Sequence, residues 1–201
     1  TPVIVDPLTV SLILNTNFKF DSSATTSTVE GLKTAVTNAL IAYNTSDLGK
    51  FDGIFRHSKV TGVIDDADTS ILGNITNVTM GQFFTPTTTA STAYTFFFNN
   101  ALYNPHSGHN ALAGGVIAST GFYIYTDSTN ERFFDDNGEG GLRTYYLSSG
   151  TRIYDSASAG TVTYSTGKIV TSGIYIASVG LVDGAASSRI RITAIPNSKD
   201  I

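Results

Sequence analysis

Val10, Leu12, Leu14, Thr16, Phe18 and Phe20 recur at every second position, with Ser11, Asn15, Asn17 and Lys19 between them. Period two with one wet face predicts a long strand. The period then changes. Val29, Leu32, Val36, Leu40 and Tyr43 fall at three- and four-residue steps. They predict a helix of about 16 residues with a single apolar stripe. Ser27-Thr28-Val29-Glu30 precedes it as a capping box, with Ser27 as N-cap and Glu30 reaching back, and Asn44-Thr45-Ser46-Asp47 breaks it. Phe51, Ile54, Phe55, Val60, Val63 and Ile64 suggest a second, less regular helix, weakened by Gly62. It ends at Asp65-Asp66-Ala67-Asp68. A less clean alternation through Ile71, Asn74, Val78, Met80 and Phe83 predicts another strand.

Thr85 to Thr92 is a connector of Pro and hydroxyls without periodicity, the natural place for a domain boundary, with a loop inside one domain as the alternative. Nothing beyond it reads as helix. Tyr94, Phe96 and Phe98 alternate, and Phe122 to Tyr125 is a short β run. Phe133-Phe134 and Leu142 to Leu147 flank a turn at Asp135 to Gly141 that contains Asn137-Gly138. Thr161 to Ser165 and Lys168 to Val170 form a second hairpin around Thr166-Gly167. Ile174 to Ile176 and Arg189 to Thr193 complete the series. The fold class is α+β: a strand–helix–helix–strand α/β segment over residues 1–85, then an antiparallel, sandwich-like β-rich domain over residues 86–201. No repeat at a fixed period is visible.

Composition narrows the function classes. Of 201 residues, 41% are hydrophobic and 14% charged, against a usual charged share of about 25%. Ser and Thr supply about a quarter of the chain, a compositional bias. Twelve Phe and ten Tyr give enough apolar bulk to exclude disorder. A net charge of −4 argues against nucleic acid and against anionic membrane as partners. The absence of Cys removes disulfides, thiolate metal sites and Cys nucleophiles. No apolar run reaches the roughly 18 residues of a membrane helix, and no signal peptide is visible. The opening Thr1-Pro2 and the close soon after a strand pattern predict a piece of a longer polypeptide.

Candidate chemistry is sparse. His106-Ser107-Gly108-His109 could place two imidazoles on one metal, but Pro105 and Gly108 put them in a loop without a third ligand nearby. His57 reads as a partly buried or surface histidine. Asp135, Asp136, Asn137 and Glu139 resemble a calcium loop only superficially, since the ligand spacing fails and a tight turn explains Asn137-Gly138. Asp65, Asp66 and Asp68 read as caps and solvated loop ends more simply than as a carboxylate pair. There is no Gly-x-Ser-x-Gly elbow and no phosphate loop. With only three Glu and three His, the expectation is no enzyme, no catalytic residue, no cofactor and no metal.

The aromatic residues are more suggestive. Alternation puts Phe96 and Phe98 inward and Phe97 on the opposite face, and Tyr123 and Tyr125 opposite Phe122 and Ile124. Either both faces are covered within the domain, or Phe97, Tyr123 and Tyr125 form a partner surface.

Several longer motifs carry a family likeness. They are Gly49 to Lys59 (GKFDGIFRHSK), Ile64 to Ile71 (IDDADTSI), Phe83-Phe84-Thr85-Pro86, Ser119-Thr120-Gly121-Phe122, Phe134 to Arg143 (FDDNGEGGLR) and Gly160 to Gly167 (GTVTYSTG). In order and number they resemble the baseplate wedge protein of T-even-like contractile phages, whose ring holds the wedges together. The resemblance implies a virion protein of the tail baseplate, assembled in the host cytoplasm and associating with itself as a dimer and ring. It also implies contacts with other wedge and hub proteins, a part in dimer contacts for this C-terminal half, and a baseplate J-like first segment. It carries no active site. The competing reading is a glycan-binding or adhesive β-sandwich of a phage fibre or bacterial surface protein, which needs a concave aromatic site with convergent polar groups. A hydrolase would need a clustered carboxylate pair or a Ser–His arrangement.

Overall fold

A computed structural model describes residues 9–50, 53–109 and 115–201. The fold is mostly antiparallel β with two helices, an α+β, β-rich class. The chain forms two compact units. One comprises Leu14–Val78 with Ser198–Ile201, the other residues 9–13 with Thr79–Asn197. Strands β1 (Ser11–Phe20) and β2 (Ile71–Phe84) each run from one unit into the other.

In the first unit the alternation of β1 is half-buried at Leu14, Thr16, Phe18 and Phe20 and exposed at Asn15, Asn17 and Lys19. Thr16 shares a hydroxyl hydrogen bond with Thr76 of β2 at 3.0 Å. Helix α1 (Val29–Tyr43) buries Leu32, Val36 and Tyr43. Its cap is not the expected one. Thr28, not Ser27, accepts the Gly31 N–H at 3.1 Å, so the third helical position is a glycine and the box has no carboxylate. Glu30 instead pairs with Lys33 at 2.7 Å. The helix then widens into a π-turn at Asn44–Leu48 rather than breaking at once.

Helix α2 (His57–Asp65) buries Val60 and Ile64 but starts later than the apolar pattern suggests. Phe51 lies outside the described residues. Ile54 and Phe55 precede the helix, because Phe55 exchanges backbone hydrogen bonds with Ile201 at 2.9 and 3.1 Å. Those backbone groups are satisfied by the chain terminus and not by a helical turn.

In the second unit the strands are β3 (Thr95–Phe97), β4 (Ile117–Ser119), β5 (Phe122–Ile124), β6 (Asp127–Asp136) and β7 (Gly141–Ser148). They continue as β8 (Thr151–Thr163), β9 (Lys168–Thr171), β10 (Ile176–Val179), β11 (Leu181–Val182), β12 (Ala185–Ala186) and β13 (Ile190–Ala194). From the end of β2 the hydrogen-bonded order is β13, β4, β6, β7, β8, β9, β3. The ten-residue strand β6 creates a branch. Its Asp135 end pairs with β4, while Arg132 and Asp127 pair with β5, which in turn carries β10. The expected sandwich is thus, in hydrogen bonding, one branched sheet with a separate β11–β12 hairpin.

Phe98, Phe122, Phe134, Ile117, Leu142, Ile169, Ile176, Ile190 and Ile192 are fully buried in this unit. Each contributes about 1.5–3 kcal/mol by leaving water. The β6–β7 turn needs its glycine. Gly138 has φ +75°, and a Cβ there would lie 1.9 Å from the His109 carbonyl oxygen. Asn137 Oδ1 accepts the N–H groups of Glu139 and Gly141, each at 2.8 Å, and closes the turn.

Candidate functional site

Strand pairing brings the second unit's polar residues together in two places. In the first, β6 sets Asp135 opposite Arg143 of β7, and β8 adds Arg152 and Tyr154. Asp135 is 1% exposed. Its carboxylate accepts from Arg143 Nε at 3.0 Å, Arg152 Nη1 at 2.9 Å and Tyr154 Oη at 2.8 Å. The guanidinium of Arg143 lies 4.2 Å from the Tyr154 ring centre, and that of Arg152 lies 4.4 Å from the Tyr145 ring centre. Burial, reinforced by the bond to Asp135, raises the Tyr154 phenol above its ordinary value. Asp136 accepts the Ile117 N–H at 2.9 Å and the Tyr164 hydroxyl at 2.6 Å. Burial and that bond push Tyr164 well above the ordinary tyrosine value. Both carboxylates serve as internal acceptors, and Asn137 serves the turn.

The second place is a groove of about 370 Å³. One wall is aromatic. Tyr125 follows β5 and Tyr175 precedes β10; the Tyr125 N–H donates to the Tyr175 carbonyl at 2.9 Å. The ladder therefore stacks the two rings, with centres 4.5 Å apart and planes 6° apart. Arg132 of β6, Thr144 of β7, and Asp155, Ser156 and Ser158 of β8 line the rest, together with Ser172 to Ile174. The register explains Asp155. Thr144 pairs with Ser156 and Tyr145 with Tyr154, so Asp155 is the extra residue of a bulge. Bulges re-aim side chains in this way.

Asp155 accepts from Arg132 Nε at 2.5 Å and from the Thr144 hydroxyl at 2.7 Å. Arg132 also donates to Asp127 at 3.0 Å and to the Asn130 carbonyl at 3.0 Å. Burial opposes its charge, but Asp155 and Asp127 outweigh that and raise its pKa. Hydrogen bonds from the Asn130 side chain, the Thr129 N–H and Arg132 hold Asp127 far below the ordinary carboxylate range.

The three aromatic candidates do not form one cluster. Phe97 is 37% exposed on β3, opposite Lys168, whose ammonium lies 5.5 Å from the ring centre. Tyr123 is half-buried. Tyr125 is 66% exposed and belongs to the groove. Among the described residues no ring contact joins Phe97 to either tyrosine. Sequence reasoning missed Tyr175, Arg132 and Asp155. Tyr175 lies in a short β run 50 positions from its stacking partner, and no local spacing marks an Arg that pairs with Asp127 of its own strand and with Asp155 of β8.

The three histidines, Asp65 and Asp68 have structural partners. His106 and His109 meet edge to face with ring centres 5.0 Å apart. Among the described residues, no group of three or more His, Asp or Glu is placed to hold a metal ion. His57 donates Nε2–H to the Thr76 carbonyl at 2.8 Å. Asp65 accepts from Asn74 at 2.7 Å, and Asp68 accepts the Ser70 N–H at 2.9 Å.

Residues 10–82 match the family model described as baseplate structural protein gp6, C-terminal domain III. The matched stretch spans β1, α1, α2 and most of β2. Over this stretch the chain is similar to a structural protein of the phage baseplate. No curated protein matches the chain.

Proposed function

We propose that this chain is a structural part of a phage tail baseplate, a piece of a wedge subunit that associates with copies of itself in the inner ring and meets other wedge and hub proteins. The observation that carries the reading is the match of residues 10–82 to gp6 C-terminal domain III. A second feature of that stretch supports it. Leu72 and Ile75 on β2 are 64% and 70% exposed and share a shallow depression with Phe18 of β1. Large apolar side chains grouped on a surface mark interaction sites. On this reading they are the main assembly contact, with Phe97 a candidate second contact.

A non-enzymatic role is supported by the fate of the acidic residues. Asp135 and Asp136, the adjacent pair best buried for proton chemistry, are bound to arginine, tyrosine and backbone donors. The virion location is tested by immunogold labelling of intact phage particles encoding this chain, using antibodies raised against it. Gold at the distal end of the tail is expected. Gold on the capsid, on fibre tips, or on no part of the virion overturns the proposal.

A further inference from the structure

We infer that the groove lined by the stacked Tyr125–Tyr175 pair is a binding site for a neutral saccharide ring. The groove lies outside residues 10–82, so this inference and the baseplate reading stand or fall separately.

Three features of the groove define the class of ligand. The first is its aromatic wall. Stacking on Tyr175 covers one face of Tyr125, and the residue is still 66% exposed, which leaves the other face open. A flat π surface of this kind takes the C–H face of a saturated ring, whose weakly positive hydrogens meet the negative face of the aromatic quadrupole. The volume of about 370 Å³ falls in the range of small-molecule sites.

The second feature is the hydrogen-bonding inventory. Thr126, Ser156, Ser158 and Ser172 bring hydroxyls to the lining, and Asp155 brings a carboxylate. A hydroxyl both donates and accepts, and a carboxylate only accepts. A ligand with several hydroxyls on one ring suits this set, because each of its hydroxyls can turn to either role. A purely apolar ligand would displace water from these groups and return no hydrogen bond to them.

The third feature is charge. Arg132 spends its Nε on Asp155 and its two amino groups on Asp127 and Asn130, so its positive charge is already neutralised. One guanidinium against the carboxylates of Asp127 and Asp155 leaves the site with a net negative charge. An anionic ligand is repelled. The polar floor is held in place before any ligand arrives, since the β8 bulge aims Asp155 and Thr144 fixes it at 2.7 Å.

Saturation-transfer NMR on the full chain tests the inference, with glucose, galactose, mannose, N-acetylglucosamine and rhamnose as probes at about 10 mM, a concentration suited to millimolar affinity. Glucuronate serves as the anionic comparator. Transfer to the ring protons of at least one neutral sugar is expected, with weaker transfer to glucuronate. Tyr125→Ala should weaken that sugar's binding at least about tenfold, equivalent to about 1.4 kcal/mol. Tyr125→Phe, which keeps the ring, should retain it, and Phe97→Ala should leave it unchanged. Tyr125 is exposed, so its truncation should not disturb the fold; should Tyr125→Ala prove misfolded, Ser172→Val at the exposed lining gives the same test. Absence of transfer to every neutral sugar, unchanged binding in the folded groove variant, or binding of glucuronate as tight as that of the neutral sugars overturns the inference.

Discussion

Asp135 and Arg143 face each other across the β6–β7 ladder, and their side chains are joined by bonds of 3.0 Å and 3.3 Å while only 2% and 11% exposed. Two strands of a low-charge protein thus meet through a buried ion pair, completed by Arg152 and Tyr154. Removing Asp135 leaves the Arg143 charge buried without its counter-ion, a loss of about 3–5 kcal/mol. Asp135→Ala should therefore lower the free energy of unfolding by that much, read as a fall in the urea midpoint equal to the loss divided by the unchanged slope. A midpoint equal to that of the parent protein contradicts the assignment.

Asp127 gives the groove an acid-dependent anchor. Bonds from Asn130, Thr129 and Arg132 depress its folded pKa below the ordinary 3.8. A depressed carboxylate contributes stability that is complete above the unfolded value and lost as pH falls through the folded one. The parent protein should lose this contribution progressively below about pH 4. Asp127→Asn should be less stable near neutral pH and show a flatter decline in acid. Thermal unfolding from pH 6 to pH 2 reads the difference, and parallel curves for the two proteins would refute it.

The first turn of α2 is capped from a distance. Arg56 makes no side-chain cap, and the Asp200 carboxylate accepts the His57 N–H at 2.7 Å. Asp200→Ala leaves that donor to water. Amide hydrogen exchange in the first turn of α2 should accelerate about fivefold, as for loss of an N-cap. Exchange in α1 should not change. Equal exchange in both proteins would show that Asp200 does not hold this helix.

The sequence is most legible where a period is long and local. The face of β1 from Leu14 to Phe20 and the stripe of Leu32, Val36 and Tyr43 on α1 follow directly from spacing. So does the exposure of Phe97 between buried Phe96 and Phe98. Errors fall where a distant residue decides. Two adjacent hydroxyls offered a cap, and the helix took Thr28, which turned Glu30 toward Lys33. Phe55 had helical spacing but pairs with Ile201 at the other end of the chain. On β2, Ile71 and then Thr76, Val78, Met80 and Gln82 are buried, a change of phase past Gly73 that blurs the alternation. The groove was least legible, because Tyr125 with Tyr175 and Arg132 with Asp155 meet only through the register of β5, β6, β8 and β10.

The proposed self-association of this chain runs through the apolar surface of Leu72, Ile75 and Phe18 in its matched segment. Light scattering coupled to size-exclusion chromatography tests it most directly, at about 100 μM, where a micromolar association is populated. A mass of twice the 21.3 kDa chain is expected for the parent protein. Return to the single-chain mass is expected in a Leu72→Ser, Ile75→Ser variant that retains the parent's circular dichroism. A parent protein that stays at 21.3 kDa at this concentration, or a double variant that stays a dimer, contradicts it.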